Sequence, residues 1–403
     1  MFRFLIKWTC LSVLVALMAG SASALFLISL DWATQYRLKN PNLLYFLPLA
    51  GFFSGFIYWK LGRAVEAGNN LLLDEIHDPK SRVPLRMGPM ILLFTVLSHL
   101  FGASVGREGT AVQMGGSLAD QLSSPFRLKA EERRLLLMAG ISAGFASVFG
   151  TPLAGAIFGL EVLVVGRLSY LALFPCLLSS ILANQVCHFY GVEHVSYALG
   201  AVPEFSLSLM LKVMAGGLIF GLVARLFVLM MHQFLCWFCK IGFAPLRPVF
   251  GGLIVIVLCS TLDGHRYLGL GIPVIQESFV KELGICESSL KLLFTTVCLA
   301  SGFKGGEVTP LFFIGSTLGN WLAQIFDAPL SLFAALGFVS VFAGAANAPL
   351  SCLLMAMELF GSPVGIYAAL SVMMSYLVSG QSGIYASQKT NEKGWPGLPQ
   401  RKK

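Results

Sequence analysis

Residues 106–110 read Gly106-Arg107-Glu108-Gly109-Thr110, an arginine and a glutamate set directly before the uncharged, glycine-bearing run Ala111 to Leu118. Charge beside an apolar span is costly in a membrane, so such a pair marks a functional site by default. The pattern returns at Gly305-Gly306-Glu307-Val308-Thr309, 199 residues further on, and Gly116-Ser117 has its counterpart in Gly315-Ser316. Pro152-Leu153 returns as Pro349-Leu350, 197 residues on, and each proline is followed nine residues later by a glutamate, Glu161 and Glu358. Collinear matches at nearly one spacing argue for an internal duplication, and duplicated membrane halves with interrupted helices are how many transporters are made.

Composition names the solvent. Of 403 residues 56% are hydrophobic and 12% charged, and the mean hydropathy is +0.77, outside the range of soluble globular chains. The net charge of +8 is concentrated in Arg3 and Lys7, in Arg127, Lys129, Arg133 and Arg134, and in a tail with Lys389, Lys393, Arg401, Lys402 and Lys403. Such clusters face the cytoplasm, whereas nucleic-acid binding needs a basic face that this chain does not offer. The expected protein is multi-pass, surrounded by lipid in the inner (plasma) membrane, with both termini cytoplasmic. Nine scattered cysteines, mostly inside apolar runs, speak against a disulfide framework, and Cys236-Trp237-Phe238-Cys239 reads as packing rather than redox chemistry.

The uncharged run from Trp8 to Leu30 covers 23 residues, enough to cross a bilayer, so it reads as a retained helix rather than a cleaved signal. Many later runs are too short to cross alone, and breaks fall at Gly150-Thr151-Pro152 and Asn347-Ala348-Pro349. Broken and re-entrant helices are expected, since irregular backbone survives at depth only where protein or a wet cavity covers it. The expected fold is an all-α polytopic membrane protein of two inverted-topology repeats, residues 1–200 and 201–385, with a short cytoplasmic tail at 386–403 and no regulatory domain. Gly68-Asn69-Asn70 before Leu71 to Leu73 reads either as a helix start whose free N–H groups meet an anion or as an ordinary asparagine cap. Gly68 has a counterpart in Gly271.

A helix N-terminus carries positive partial charge and unpaired donors, so it can hold either an anion or a carboxylate. Ionised, Glu108 can fill the anion's place; protonated, it can swing away and free it. Such a side chain both competes with the anion and carries a proton, the minimum machinery for exchanging the two. The plainer alternative is a helix-start glutamate paired with Arg107. Other features take structural readings: Asp74-Glu75-Ile76-His77-Asp78 as a solvated helix end rather than a metal site, Phe312 and Phe313 as packing rather than path lining, and Glu161 and Glu358 as anchors near helix ends, with a proton role for either as the alternative. Gly102-Ala103-Ser104-Val105-Gly106, with His99 nearby, spells the hydrolase pattern Gly-x-Ser-x-Gly. The sharp strand-to-helix context that this motif needs is missing, so an intramembrane serine hydrolase is a distant alternative and no enzyme is expected.

Gly106-Arg107-Glu108-Gly109, Gly150-Thr151-Pro152-Leu153-Ala154-Gly155 and Gly305-Gly306-Glu307-Val308-Thr309-Pro310, taken in order, resemble the CLC family of chloride channels and anion/proton antiporters. The resemblance implies a homodimer with one anion pathway per subunit, no cofactor and no metal. Position by position it makes Glu108 the gating and proton-transfer glutamate facing the outer side. Asn69 falls on the serine of Gly-Ser-Gly-Ile-Pro, Val308 on the phenylalanine of Gly-Ile-Phe-x-Pro, and Tyr385 on the tyrosine closing the inner side. Gly68, Asn69, Arg107, Gly109, Val308, Thr309 and Tyr385 then form the expected anion-binding set. Asn69, Thr110 in place of a proline, and Glu307-Val308-Thr309 in place of Ile-Phe-x resemble the bacterial fluoride/proton antiporter branch. The internal proton-relay glutamate of chloride/proton exchangers aligns with Val162, which leaves Glu307 as the proton partner of Glu108. Fluoride holds water tightly and needs close donors to replace it. The expected activity is fluoride export against inward protons, with a chloride channel or chloride/proton exchanger as the alternative.

Overall fold

The computed structural model describes residues 2–197 and 199–389, so Lys393, Arg401, Lys402 and Lys403 of the tail lie outside the described residues. Sixteen α-helices carry the described chain. The first eight are α1 (Phe2–Lys39), α2 (Leu47–Leu61), α3 (Asn69–His77), α4 (Met87–Leu100), α5 (Glu108–Gln121), α6 (Ala130–Phe149), α7 (Pro152–Glu161) and α8 (Leu173–Phe189). The second eight are α9 (Leu207–Cys239), α10 (Arg247–Leu262), α11 (Ile272–Glu277), α12 (Cys286–Ser301), α13 (Val308–Phe326), α14 (Leu330–Ala346), α15 (Pro349–Phe360) and α16 (Gly365–Ser379). The two series run in step: a long helix opens each, and the third member is a stub of 9 residues in one and 6 in the other. Both stubs start on a glycine with positive φ, Gly68 at +58° and Gly271 at +73°, the left-handed turn that favours a residue without Cβ.

Among the described residues six helical stretches are long and apolar enough to cross a membrane, the longest being α1 and α9. The segment expected at Trp8 to Leu30 is in fact part of the 38-residue α1. It buries Trp8, Leu11, Val15 and Ala19 while leaving Leu17, Leu25 and Ile28 outward, so packing on one face extends it past the minimum span. The shorter helices are re-entrant in the expected sense, because the protein's own core covers them: Ala154, Gly155, Ala156 and Phe158 of α7 and Ser351, Cys352, Met355 and Ala356 of α15 are buried. The breaks fall where proline forbids continuation, with Gly150 (φ +76°) and Asn347 (φ +53°) turning the chain before Pro152 and Pro349.

The inverted relation shows most plainly in α7 and α15. Glu358, near the end of α15, accepts from the Leu153 and Ala154 N–H groups that open α7, at 2.9 and 2.8 Å. Glu161, ending α7, accepts from the Leu350 and Ser351 N–H groups that open α15, at the same distances. Each glutamate thus satisfies amides that lipid or core could not, and the two helices lie antiparallel across the repeat boundary. Replacing Glu358 by alanine is expected to lower stability by about 1–2 kcal/mol, the scale of a lost helix cap. Thermal unfolding in detergent reads the loss; a midpoint equal to that of the parent protein would refute the anchoring role.

Close helix pairs use small residues, as membrane packing without a hydrophobic driving force requires. α5 meets α6 through Gly115, Gly140 and Gly144, and α13 meets α14 through Gly315, Gly319 and Gly337; a Cβ at any of these would collide with the partner helix. One end of the molecule is basic. There Lys7 pairs with Glu132 (2.6 Å), Arg82 reaches the Gln121 carbonyl, and Arg134 reaches the His77 carbonyl. Arg133 joins Glu75 (2.9 Å) to Asp120 (2.7 Å) at this end. The Asp74–Asp78 stretch is therefore not wholly solvated as expected: Glu75 is buried against a guanidinium contributed by α6.

Candidate functional site

α5 and α13 meet at their N-terminal ends and diverge. The Gly106 N–H donates to the Gly306 carbonyl at 2.5 Å and the Gly306 N–H to the Gly106 carbonyl at 2.8 Å, a single antiparallel bridge between the repeats. A Cβ on Gly106 would stand 2.8 Å from the Gly306 oxygen and 2.9 Å from Pro310, so this crossing requires bare backbone.

Glu108 is the first residue of α5 and is fully buried. Its carboxylate accepts from the Thr309 N–H at 3.0 Å, from the Thr309 hydroxyl, and from the Arg107 N–H at 3.2 Å. Two of these donors belong to the opening turn of α13, so a carboxylate from one repeat caps the helix of the other, in a donor set that suits any small anion. Arg107 Nε lies 3.4 Å from the carboxylate, at ion-pair distance but without hydrogen-bond geometry. The plainer sequence reading, a helix-start glutamate paired with Arg107, is present in the structure, and Thr309 adds two donors from the other repeat to it.

Glu108 lines a small cavity of about 10 Å³ with Arg107, Tyr197, Ile272, Thr309 and Phe312, about the room one water needs. Phe312 lines this space and also stacks on Phe338 with ring centroids 3.9 Å apart, so the packing reading describes half of its surroundings. Phe313 is core, with the Lys291 ammonium 5.2 Å over its ring. Lys291 in turn donates to the Tyr267 and Gly269 carbonyls and ties down the turn before α11.

A larger cavity of about 190 Å³ is lined by Gly68, Asn69, Glu307 and Tyr385 together with Tyr58, Glu66 and Lys304. Asn69 is the first residue of α3, after the Gly68 cap, and makes no capping bond. Of the two readings of this turn, the ordinary asparagine cap is thereby excluded: Asn69 Oδ1 is buried without a partner, while Nδ2 approaches Gly109, where a Cβ would stand 3.1 Å from it. Glu307 stands at the N-cap position of α13 without a side-chain capping bond, and its Oε2, also buried without a partner, lies 3.7 Å from that same Cβ position. Asn69, Gly109 and Glu307 therefore converge on one point. Val308 lines neither cavity; its side chain is core, and only its backbone stands at the helix start.

Tyr385 reaches the cavity because the chain beyond α16 folds back under the helix ends. The Ile384 N–H donates to the Ala345 carbonyl (2.8 Å), the Ser387 N–H to Asn70 Oδ1 (3.0 Å), and the Lys389 N–H to the Leu163 carbonyl (3.1 Å). The tail expected from residue 386 thus stays bound through Lys389, and no apolar signal in its sequence announced it. Arg133 holds α3 at Glu75 and α5 at Asp120, about 9 and 18 Å along the helices from Asn69 and Glu108, which sets Asn69 nearer the basic end than Glu108.

The hydrolase alternative finds no triad. Ser104 Oγ is bonded to Thr295 Oγ1 at 3.0 Å, and His99 Nδ1 lies 2.9 Å from the Thr95 carbonyl, both fully buried. Val162, where a second proton-relay acid was sought, is core. Sequence reading passed over Lys304 and gave Glu66 no role, although charge beside a glycine turn in so apolar a chain was the available signal.

Residues 50–380 match the voltage gated chloride channel family, most of the chain. The protein belongs to the CLC family. CLC proteins are ion channels or transporters, so this chain is a membrane transport protein and not an enzyme. It is 56% identical over 394 residues, 96% of its length and 87% of the relative's, to a chloride/fluoride channel protein of Pseudomonas syringae pv. tomato. It is 26% identical over 381 residues, 87% of this chain and 79% of the relative, to an H(+)/Cl(-) exchange transporter, ClcA, of Yersinia pseudotuberculosis. The crystal structure of a CLC-type fluoride/proton antiporter superposes with a TM-score of 0.93 at 34% identity, covering 97% of this chain and all of the other. The CLC fold, with its inverted repeats and interrupted helices, is the one that the family resemblance implied.

Proposed function

We propose that this CLC protein exchanges fluoride for protons, exporting fluoride from the cytoplasm as protons enter, with Glu108 as both gate and proton carrier and Glu307 as its proton partner. The observation that carries this reading is the Glu108 carboxylate resting on the Thr309 amide and hydroxyl at the wall of the small cavity. Ionised, Glu108 holds the donors an anion would need. Protonated, it no longer competes for them, and the anion passes from the Asn69–Gly109–Glu307 side to Thr309. Arg107 keeps positive charge beside this exchange. Fluoride suits the set because its tight hydration must be replaced by short, strong donors, here the Asn69 amide, the Thr309 hydroxyl and helix-start N–H groups. Similarity to a fluoride/proton antiporter structure and to a chloride/fluoride channel protein supports the same anion. Glu307 faces the larger cavity with an unpartnered oxygen, as a proton relay on that side would.

The basic end faces the cytoplasm in this reading, by the excess of lysine and arginine there, and the protein sits in the plasma membrane as a homodimer. The electrical part of the proton gradient then contributes about 2.3 kcal/mol per charge per 100 mV. The second reading, a chloride channel or chloride/proton exchanger, is favoured by the chloride named for both relatives.

Paired fluoride and proton fluxes from proteoliposomes decide between them. Fluoride efflux should drive protons the opposite way, with chloride moving far more slowly. Fluoride flux without proton movement would make the protein a channel, and faster chloride flux would make it a chloride carrier. Asn69→Ser should lower the fluoride-to-chloride flux ratio by about tenfold, the weaker end of one hydrogen bond to a charged group. An unaltered ratio would place selectivity elsewhere.

A further inference from the structure

The larger cavity holds a cation that the exchange scheme above does not use. Lys304 lines it three residues before Glu307, on the Gly302-to-Gly306 turn between α12 and α13. Its ammonium lies 4.0 Å from the centroid of the Tyr58 ring. Among the described residues no carboxylate comes within ion-pair distance of it, and Glu66, the acid sharing the cavity, stands further off. The other charged wall is Glu307, whose free oxygen repels an incoming anion when ionised. A cavity that must admit a strongly hydrated anion past two acids needs a compensating charge, and a cation in a recess walled by protein focuses anions into it. Tyr58 supports that charge without neutralising it, because a ring face attracts an ammonium while leaving its N–H donors free to turn to the cavity. The Gly106–Gly306 bridge fixes the turn, and Lys304 and Asn69 line the same cavity.

We propose that Lys304 is the anion-recruiting residue of this cavity: it meets the hydrated anion on entry, and Glu66 tempers its charge so that the anion leaves again toward Asn69. The inference rests on the antiporter reading of the same site and adds to it a residue that sets affinity on the side nearer the basic end.

The test measures fluoride flux against internal fluoride concentration in proteoliposomes. Lys304→Met should raise KM by about tenfold, the lower end of electrostatic focusing, with kcat and the ratio of protons to fluoride little changed. Lys304→Arg should keep KM near the parent value, and Glu66→Gln should lower it. Raising ionic strength with gluconate salts should raise the KM of the parent protein but not that of Lys304→Met. An unchanged KM in Lys304→Met, or an equal loss in Lys304→Arg, would overturn the recruiting role. If Lys304→Met does not fold, the ionic-strength dependence of the parent and of Glu66→Gln decides, and a flat dependence in both overturns it. Absence of fluoride flux in the parent protein would instead defeat the antiporter reading.

Discussion

Glu108→Gln is expected to abolish proton movement and to slow fluoride flux by at least about a hundredfold, the usual contribution of a positioned proton-transfer group. Glutamine has nearly the shape of the acid, so it still fills the pocket on Thr309 and beside Arg107. It cannot gain or lose the proton, and its amide turns one acceptor into a donor facing the donors that hold it. In the proposed scheme two effects follow from one atom: the proton carrier is gone, and the switch between bound and released forms goes with it. Fluoride efflux recorded with an ion-selective electrode, together with pH in lightly buffered external solution, checks both at once. Coupled exchange at the parent rate would remove Glu108 from the mechanism. Fluoride flux persisting without protons would confine its role to coupling.

Arg133→Ala carries the largest expected loss of stability. The guanidinium bonds both oxygens of Asp120, at 2.7 and 2.8 Å, one oxygen of Glu75 at 2.9 Å, and the Ser81 carbonyl. The Asp120 and Glu75 side chains are 0% and 7% exposed. Removing the cation leaves two carboxylates facing each other out of water, and breaking a buried pair in this way costs about 3–5 kcal/mol. Arg133→Lys should recover only part of this, since a single ammonium cannot span Asp120 bidentately while reaching Glu75 and Ser81. Thermal unfolding in detergent should show a graded loss from arginine to lysine to alanine. Equal stability of arginine and alanine forms would mean that the acids find other partners. Because Arg133 ties the ends of α3 and α5, the folded fraction of the alanine variant should also transport more slowly, with Asn69 and Glu108 no longer held in register.

The glutamate turns, the proline breaks and the duplication were all readable along the chain, because each is a local clash between charge or proline and an apolar helix. The reciprocal caps of Glu161 and Glu358 were half readable. Their matched positions marked them as anchors, but which amides each one satisfies depends on α7 and α15 lying antiparallel. Asn69 could not be assigned from its neighbours, since a capping asparagine and one whose amide points across to Gly109 have the same local sequence. Tyr385 was found by resemblance, yet the hydrogen bonds that carry it into the cavity come from Ala345, Asn70 and Leu163, far away in sequence. Lys304 and Glu66 were passed over for a related reason. A single charge near a span end usually stays in contact with water, and only the folded chain places these two in one cavity.

Membrane residence, helical architecture and twofold repetition follow from the order of residues alone, because lipid demands long apolar runs and penalises each interruption in a way that can be seen without coordinates. Tertiary structure alone could decide what the buried acids face. Glu108 rests on the first turn of a helix belonging to the opposite repeat, and Asn69 and Glu307 each keep a buried oxygen unpartnered at the same crossing. Those relations join residues some two hundred positions apart. They arise because two helix N-termini, each short of partners for its amides, are brought together by a bridge that only bare glycine backbone permits.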